Sequence, residues 1–235
     1  MIQVISQPDC VSAWQDAAQL IVNMGAQHNL LVEITDPCNF NSMTNWIKRK
    51  NPRAIDPEFS NTKHVINTIF PYGLAEHCPN RNVLYNTYRR IYLNSNNKGW
   101  GTYFQRLISF NKHFIGSGTN QLEDAISALG RSNRQRNFIV FHLSARHLES
   151  NVRPIGAPCW HFGQLIEEQN GILSLNAVYR SQDYFEKAFG NYLGLAKLLE
   201  FICNESGKAP GTLTIHAMYA FNNSTTQNLK DLIQR

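Results

Sequence analysis

The sequence predicts an α+β domain, a mixed sheet packed with helices, on three observations. Strand-like runs at 160–166 and 172–179 flank Asn170-Gly171, a dipeptide that favours a tight hairpin turn. Apolar residues recur at helical spacing elsewhere, over 11–24, 121–129 and 192–202. Hairpin strands mixed with separate helices, without an internal repeat or a low-complexity segment, fit this class better than strict βα alternation. One domain over 1–235 is the expectation.

Taken in order, Val11, Trp14, Ala17, Ala18, Ile21 and Val22 define the first helix. Residues 29–34 read as a strand that Asp36-Pro37 ends. A short helix is expected at 42–47 and a charged, Pro- and Asn-rich surface loop at 48–59. The apolar run 65–70 is of undecided type, and the aromatic-rich stretches 85–93 and 99–110 are helical or lead into helices. Leu122, Ala125, Ile126 and Leu129 mark one face of a helix, followed by a polar, basic turn at 130–136 and a strand at 137–143. After the hairpin, Leu195, Leu198, Leu199 and Ile202 define the core face of a strong helix. A turn at 207–211, a last strand at 212–219 and a short polar tail at 222–235 complete the chain.

A formal charge of +5 suits an anionic ligand and does not by itself point to nucleic acid. Five cysteines, an odd number, widely spaced and without a CxxC pair, argue against a disulfide framework or a structural zinc site. Free thiols point to the reducing cytoplasm. Residues 1–20 lack the basic-then-apolar pattern of a signal peptide, and no apolar stretch is long enough to span a bilayer.

The chemistry is concentrated in 157–191. Ala157-Pro158-Cys159 opens a strand, Gln164 follows five residues after the cysteine, Arg180-Ser181-Gln182-Asp183 follows the hairpin, and Asn191 lies eleven residues after Arg180. Read singly, each has an ordinary explanation. A lone strand cysteine is usually a small buried hydrophobe. Arg180 could serve a surface ion pair, Asp183 could cap a helix beginning at Tyr184, and Asn191 could cap a helix of its own.

Together and at this spacing, the residues closely resemble the active-site core of thymidylate synthases and related pyrimidine nucleotide hydroxymethyltransferases. The resemblance is specific over 120–200 and looser over 60–110. It implies that Cys159 is a nucleophile adding to C6 of a pyrimidine, with Gln164, Arg180, Ser181, Asp183 and Asn191 as substrate-binding residues. A thiolate is a good donor to such a carbon, and Arg and Ser suit a phosphate. Asn191 goes with uracil in that family. Arg136, or Arg134, falls near the arginines that family dimers exchange across a two-fold axis.

The sequence also departs from the pattern. Asn67 stands where the family places a glutamate; an amide can orient water but is no general base. His216-Ala-Met-Tyr219 is the candidate for the family's sugar-binding His-x-Tyr, with one residue too many between the pair. The glycine-rich phosphate loop with its arginine is absent, and the chain ends short of the family's closing tail.

The expectation is therefore a divergent, C-terminally short member: a methyl- or hydroxymethyltransferase acting on C5 of a pyrimidine nucleoside monophosphate. The implied donor is 5,10-methylenetetrahydrofolate and the implied assembly a homodimer, with no membrane partner. Two alternatives share the same residues. One keeps the cysteine adduct without one-carbon transfer, as in exchange, deamination or glycosidic cleavage. The other is a non-catalytic nucleotide-binding subunit.

Overall fold

The computed structural model describes residues 2–41, 57–93, 100–110, 118–130, 139–144 and 157–234. Seven strands, β1 (Gln3–Gln7), β2 (Gln27–Ile34), β3 (Ile139–His142), β4 (Trp160–Glu167), β5 (Ile172–Tyr179), β6 (Gln182–Asp183) and β7 (Ala209–Phe221), form one mixed sheet. Its order is β1-β2-β7-β5-β4-β3, with the short β6 pairing β7 beyond the end of β5. β3-β4-β5 and the β2–β7 pair are antiparallel; β1 with β2 and β5 with β7 are parallel, each pair joined through a helix.

Helix α1 (Cys10–Met24) is bounded by its ends. The Asp9 carboxylate accepts from the N–H groups of Val11 and Ser12, satisfying donors that a helix start leaves orphaned, and Gly25 ends the helix at φ 75°. Between these caps, Trp14, Ala17, Ala18 and Ile21 are buried. The hairpin signal is realised: Asn170 and Gly171 both take positive φ, and the Glu168 amide bonds the Ile172 carbonyl.

The remaining helices are α2 (Pro57–Ile69), α3 (Tyr72–Ala75), α4 (Arg81–Leu93), α5 (Tyr103–Ile108), α6 (Gln121–Leu129), α7 (Ala188–Ser206) and α8 (Thr226–Gln234). The central α7 is buried along most of its length. It packs against α2 closely enough that a Cβ on Gly190 would lie 2.6 Å from Val65 Cβ, and one on Gly194 would lie 3.0 Å from Ile69 Cβ. Along the sheet, burial alternates. Leu175, Ala177 and Tyr179, and Leu213, Ile215 and Ala217, are buried on the helix-covered face, whereas Asn176, Val178, Thr214 and His216 on the other face are half-buried.

Several expectations need correction. β1 was not foreseen: Gln-Val-Ile-Ser-Gln is short and polar, and it becomes a strand because β2 offers it a parallel edge. The undecided run 65–70 lies mostly in α2, which also takes in 57–59 of the expected loop. Residues 209–211 are strand rather than turn. Gly211 permits this, since a Cβ there would come within 2.5 Å of Ser174 Oγ where β5 and β7 converge. The tail folds as α8 because Leu229 and Leu232 pack toward α1, and Gln15 Nε2 donates to the Ile233 carbonyl at 3.1 Å. The expected helix at 42–47, most of the loop at 48–59 and nearly all of the basic turn at 130–136 lie outside the described residues. No helix among the described residues is long and apolar enough to cross a membrane.

The α2–α7 contact yields a direct test. Gly190→Ala must push Val65 aside, and overpacking of this kind costs about 1–3 kcal/mol, more than a helical alanine returns. Urea unfolding should show that loss, whereas Gly73→Ala, which meets nothing within 4 Å, should be neutral or stabilising. Equal stability of both variants would contradict the contact.

Candidate active site

The start of β4 leaves backbone groups without ladder partners. β3 pairs residues 162–165 of β4, the Leu143 amide adds one bond to the His161 carbonyl, and a register shift between Trp160 and Phe162 interrupts the β5 side. Two side chains take up the groups that remain. Tyr103 Oη accepts from the amides of Cys159 at 3.0 Å and Trp160 at 3.1 Å. Arg180 donates its own amide to the Cys159 carbonyl at 2.9 Å, its Nε to the Pro158 carbonyl at 3.1 Å, and one terminal nitrogen to the Ala157 carbonyl at 3.2 Å. Its other terminal nitrogen has no protein partner among the described residues. That donor is available to an anion beside the thiol.

Cys159 is half-buried, and its Sγ lies 3.5 Å from Ser181 Oγ. Two residues 22 apart in sequence, Cys159 and Ser181, are thus brought together beside Arg180. Behind them, Trp160 stacks on Tyr179 with ring centroids 6.4 Å apart, and Tyr103 meets Trp160 edge-on at 5.5 Å. Burial holds the phenols of Tyr103 and Tyr179 protonated well above their ordinary range. Tyr103 was not singled out from the sequence. Its signal was the aromatic run 99–110, with Thr102 capping α5 through a bond from the Gln105 amide.

Arg106 fixes α5 in place. Only 2% exposed, it donates to the Leu143 carbonyl at 2.7 Å and to the Trp100 carbonyl at 2.9 and 3.2 Å, so its buried charge is met by backbone dipoles. Gln121 completes the brace, donating to the carbonyls of Arg106 and His142 and accepting from the His142 amide.

The other expected residues are placed as follows. Asp183 does not begin a helix, since α7 starts at Ala188. Its Oδ1 instead accepts from the amides of Phe185 and Asn223, tying the turn after β6 to the end of β7. Burial raises its carboxyl above the usual range, against the lowering effect of those bonds. Asn191 is not a cap: it lies inside α7, its amide bonded to the Lys187 carbonyl. It is 5% exposed, and its side chain has no hydrogen-bond partner among the described residues.

Gln164 pairs with Asn176 midway down β4. Five residues of strand put it about 16 Å from Cys159, so the two are not brought together. His216 lies beside Val178 and bonds Asn29, while the Tyr219 ring contacts those of His28 and Phe221. Asn67 is half-buried on α2. Arg134 and Arg136 lie outside the described residues. Among the described residues no group of three His, Cys, Asp or Glu could hold a metal ion.

The fold and the site define a mixed-sheet protein with a half-buried thiol at a strand start, flanked by a serine and an arginine. No family model matches the chain. Over 103 residues, 44% of this chain, it is 29% identical to a protein of Methanopyrus kandleri named "Putative thymidylate synthase". The match spans about half of that protein, 48% of its length.

The raised carboxyl of Asp183 gives a signed pH prediction. A carboxyl whose folded pKa is raised contributes stability below its unfolded pKa and loses it as pH rises through the folded value. Asp183→Asn keeps the Oδ1 acceptor and removes the buried charge. Melting curves should show the variant gaining on wild type as pH rises above about 4. A difference that does not change with pH would contradict the assignment.

Proposed function

We propose that this chain is a thymidylate-synthase-type transferase that acts on C5 of a pyrimidine nucleoside monophosphate, with one domain spanning 1–235. The observation that carries the reading is the Cys159–Ser181 approach at 3.5 Å, locked by the Arg180 amide on the Cys159 carbonyl. The partial similarity to a protein named as a putative thymidylate synthase points the same way.

In this mechanism Cys159 sulfur bonds to C6, and the C5–C6 π electrons move onto C5 and the C4 carbonyl oxygen. C5 then takes an electrophile and loses its proton. Departure of the thiolate from C6 restores the double bond. Arg180 and Ser181 hold the phosphate, and the unspent amide of the buried Asn191 reads the base edge, with uracil favoured.

The resemblance implies 5,10-methylenetetrahydrofolate as one-carbon donor. The residue it sets toward a cofactor, Asp183, has its Oδ1 filled by two backbone amides and is 8% exposed, which is a poor fit to an added pterin. Asn67 in place of a carboxylate favours a second reading, the same adduct without one-carbon transfer.

Tritium release from C5-labelled UMP, dUMP, CMP and dCMP separates these. Wild type should release tritium from one of them and Cys159→Ala from none. Stimulation by methylenetetrahydrofolate supports transfer, and folate-independent release alone supports the second reading. Binding without any release would leave a nucleotide-binding subunit.

We also propose a homodimer formed through the sheet face opposite the helices. That face carries Leu31, Phe162 and Val178 half-buried, with Val4 67% and Met218 48% exposed. Light scattering should give twice the chain mass, and Phe162→Glu should lower it. A monomeric wild type at micromolar concentration would overturn the dimer.

A further inference from the structure

Tyr103 holds the amides of Cys159 and Trp160, yet it is the first residue of a helix only six residues long. A helix that short has little stability of its own, so its place depends on what grips it. Arg106 grips α5 from within, and α4 supplies a second grip from outside. Tyr88 Oη lies 2.7 Å from Thr102 Oγ1, the oxygen that caps α5 by accepting from the Gln105 amide. The Tyr88 ring meets that of Phe104 edge-on, with centroids 4.8 Å apart. Its hydroxyl and its ring therefore engage the residues immediately before and after Tyr103. The neighbouring Arg89 donates to the carbonyl of Ile108, the last residue of α5, at 2.6 Å.

α4 is the fixed side of this contact. Arg81, its first residue, binds Glu123 of α6 at 2.7 Å and Glu205 of α7 at 2.8 Å. Leu84 and Tyr85 on the same helix join the apolar core. Rotation of α5 against α4 would carry the Tyr103 oxygen away from two backbone amides at once. A displacement of about 1 Å at a reacting group can cost about a hundredfold in rate.

We propose that Tyr88 is a positioning residue: through Thr102 it sets Tyr103, and through Tyr103 it sets the Cys159 thiol for attack on the pyrimidine. This inference rests on the transferase reading above. The hydroxyl carries the effect, because it alone reaches the cap that fixes where α5 begins.

The test uses Tyr88→Phe, which keeps the ring on Phe104 and removes only the hydroxyl. Tritium release is followed from whichever of UMP, dUMP, CMP and dCMP wild type accepts. At saturation the variant should be slower by about tenfold, the worth of one hydrogen bond, with its nucleotide dissociation constant within about twofold of wild type. Thr102→Val should reproduce the loss, and Thr102→Ser, which keeps the hydroxyl, should restore the rate. Tyr103→Phe should also slow release, and adding Tyr88→Phe to it should slow release no further. In amide hydrogen exchange without nucleotide, Cys159 and Trp160 should lose protection in Tyr88→Phe while the β5 and β7 amides keep theirs.

Release by Tyr88→Phe at the wild-type rate overturns the role of Tyr88 and leaves the transferase reading standing. So does additive slowing in the double variant. Unchanged protection at Cys159 and Trp160 overturns it as well, on a measurement that needs no substrate. Wild type that releases tritium from none of the four nucleotides overturns the transferase reading itself and this inference with it.

Discussion

The arrangement of the site depends on satisfying the backbone at the start of β4. β3 is too short to cover residues 159 and 160, and the register shift toward β5 removes the regular alternative. Buried amides and carbonyls left unpaired would each cost about as much as a lost hydrogen bond. The solution uses one phenol for two amides and one guanidinium for two carbonyls. Cys159 is held from both sides as a by-product of that accounting. A thiol at the beginning of a strand fully paired on the β3 side would not have Tyr103 behind it.

The same constraint reaches outward. Tyr103 can serve the strand only if α5 is fixed, and α5 is fixed because Arg106 binds carbonyls on both sides of it, at Trp100 and Leu143. Arg180 can serve it only if β5 ends where it does. Beyond that end, β6 continues alongside β7, and Asp183 secures the crossing by binding Asn223. Segments distant in sequence thus converge on one strand end through polar contacts. The apolar core beneath, one cluster reaching from Cys10 to Leu232, supplies the rigidity that keeps those contacts in register.

What the sequence revealed follows from this division. Elements with an apolar period were legible: α1, α6, α7, and the β4–β5 hairpin with its Asn-Gly turn. So was the grouping of Cys159, Arg180 and Ser181, because their spacing survives in the chain as a pattern. Elements defined by a neighbour were not. β1 exists through its pairing with β2, and α8 through Leu229 and Leu232, the two buried apolar residues of a largely polar segment. Tyr103 looks like any core aromatic until its hydroxyl is seen to face two backbone amides.

Asn191 and Asn67 bear on the chemistry through helix packing. Gly190 and Gly194 let α7 approach α2 at the residues flanking Asn191 on α7 and Asn67 on α2: Val65, Ile66 and Ile69. Asn191, next to Gly190, is buried, and Asn67 is half-buried on α2. Two primary amides therefore stand on helices that pack together, at the positions where the proposed one-carbon reading would call for a carboxylate and an amide. Amides can orient a water molecule and read a base edge, but they cannot take up a proton near neutral pH. In the proposed reaction, a proton moved at C5 would then have to travel through solvent or another side chain. Such a site suits adduct formation at C6 better than it suits the later proton removal that completes a methyl transfer.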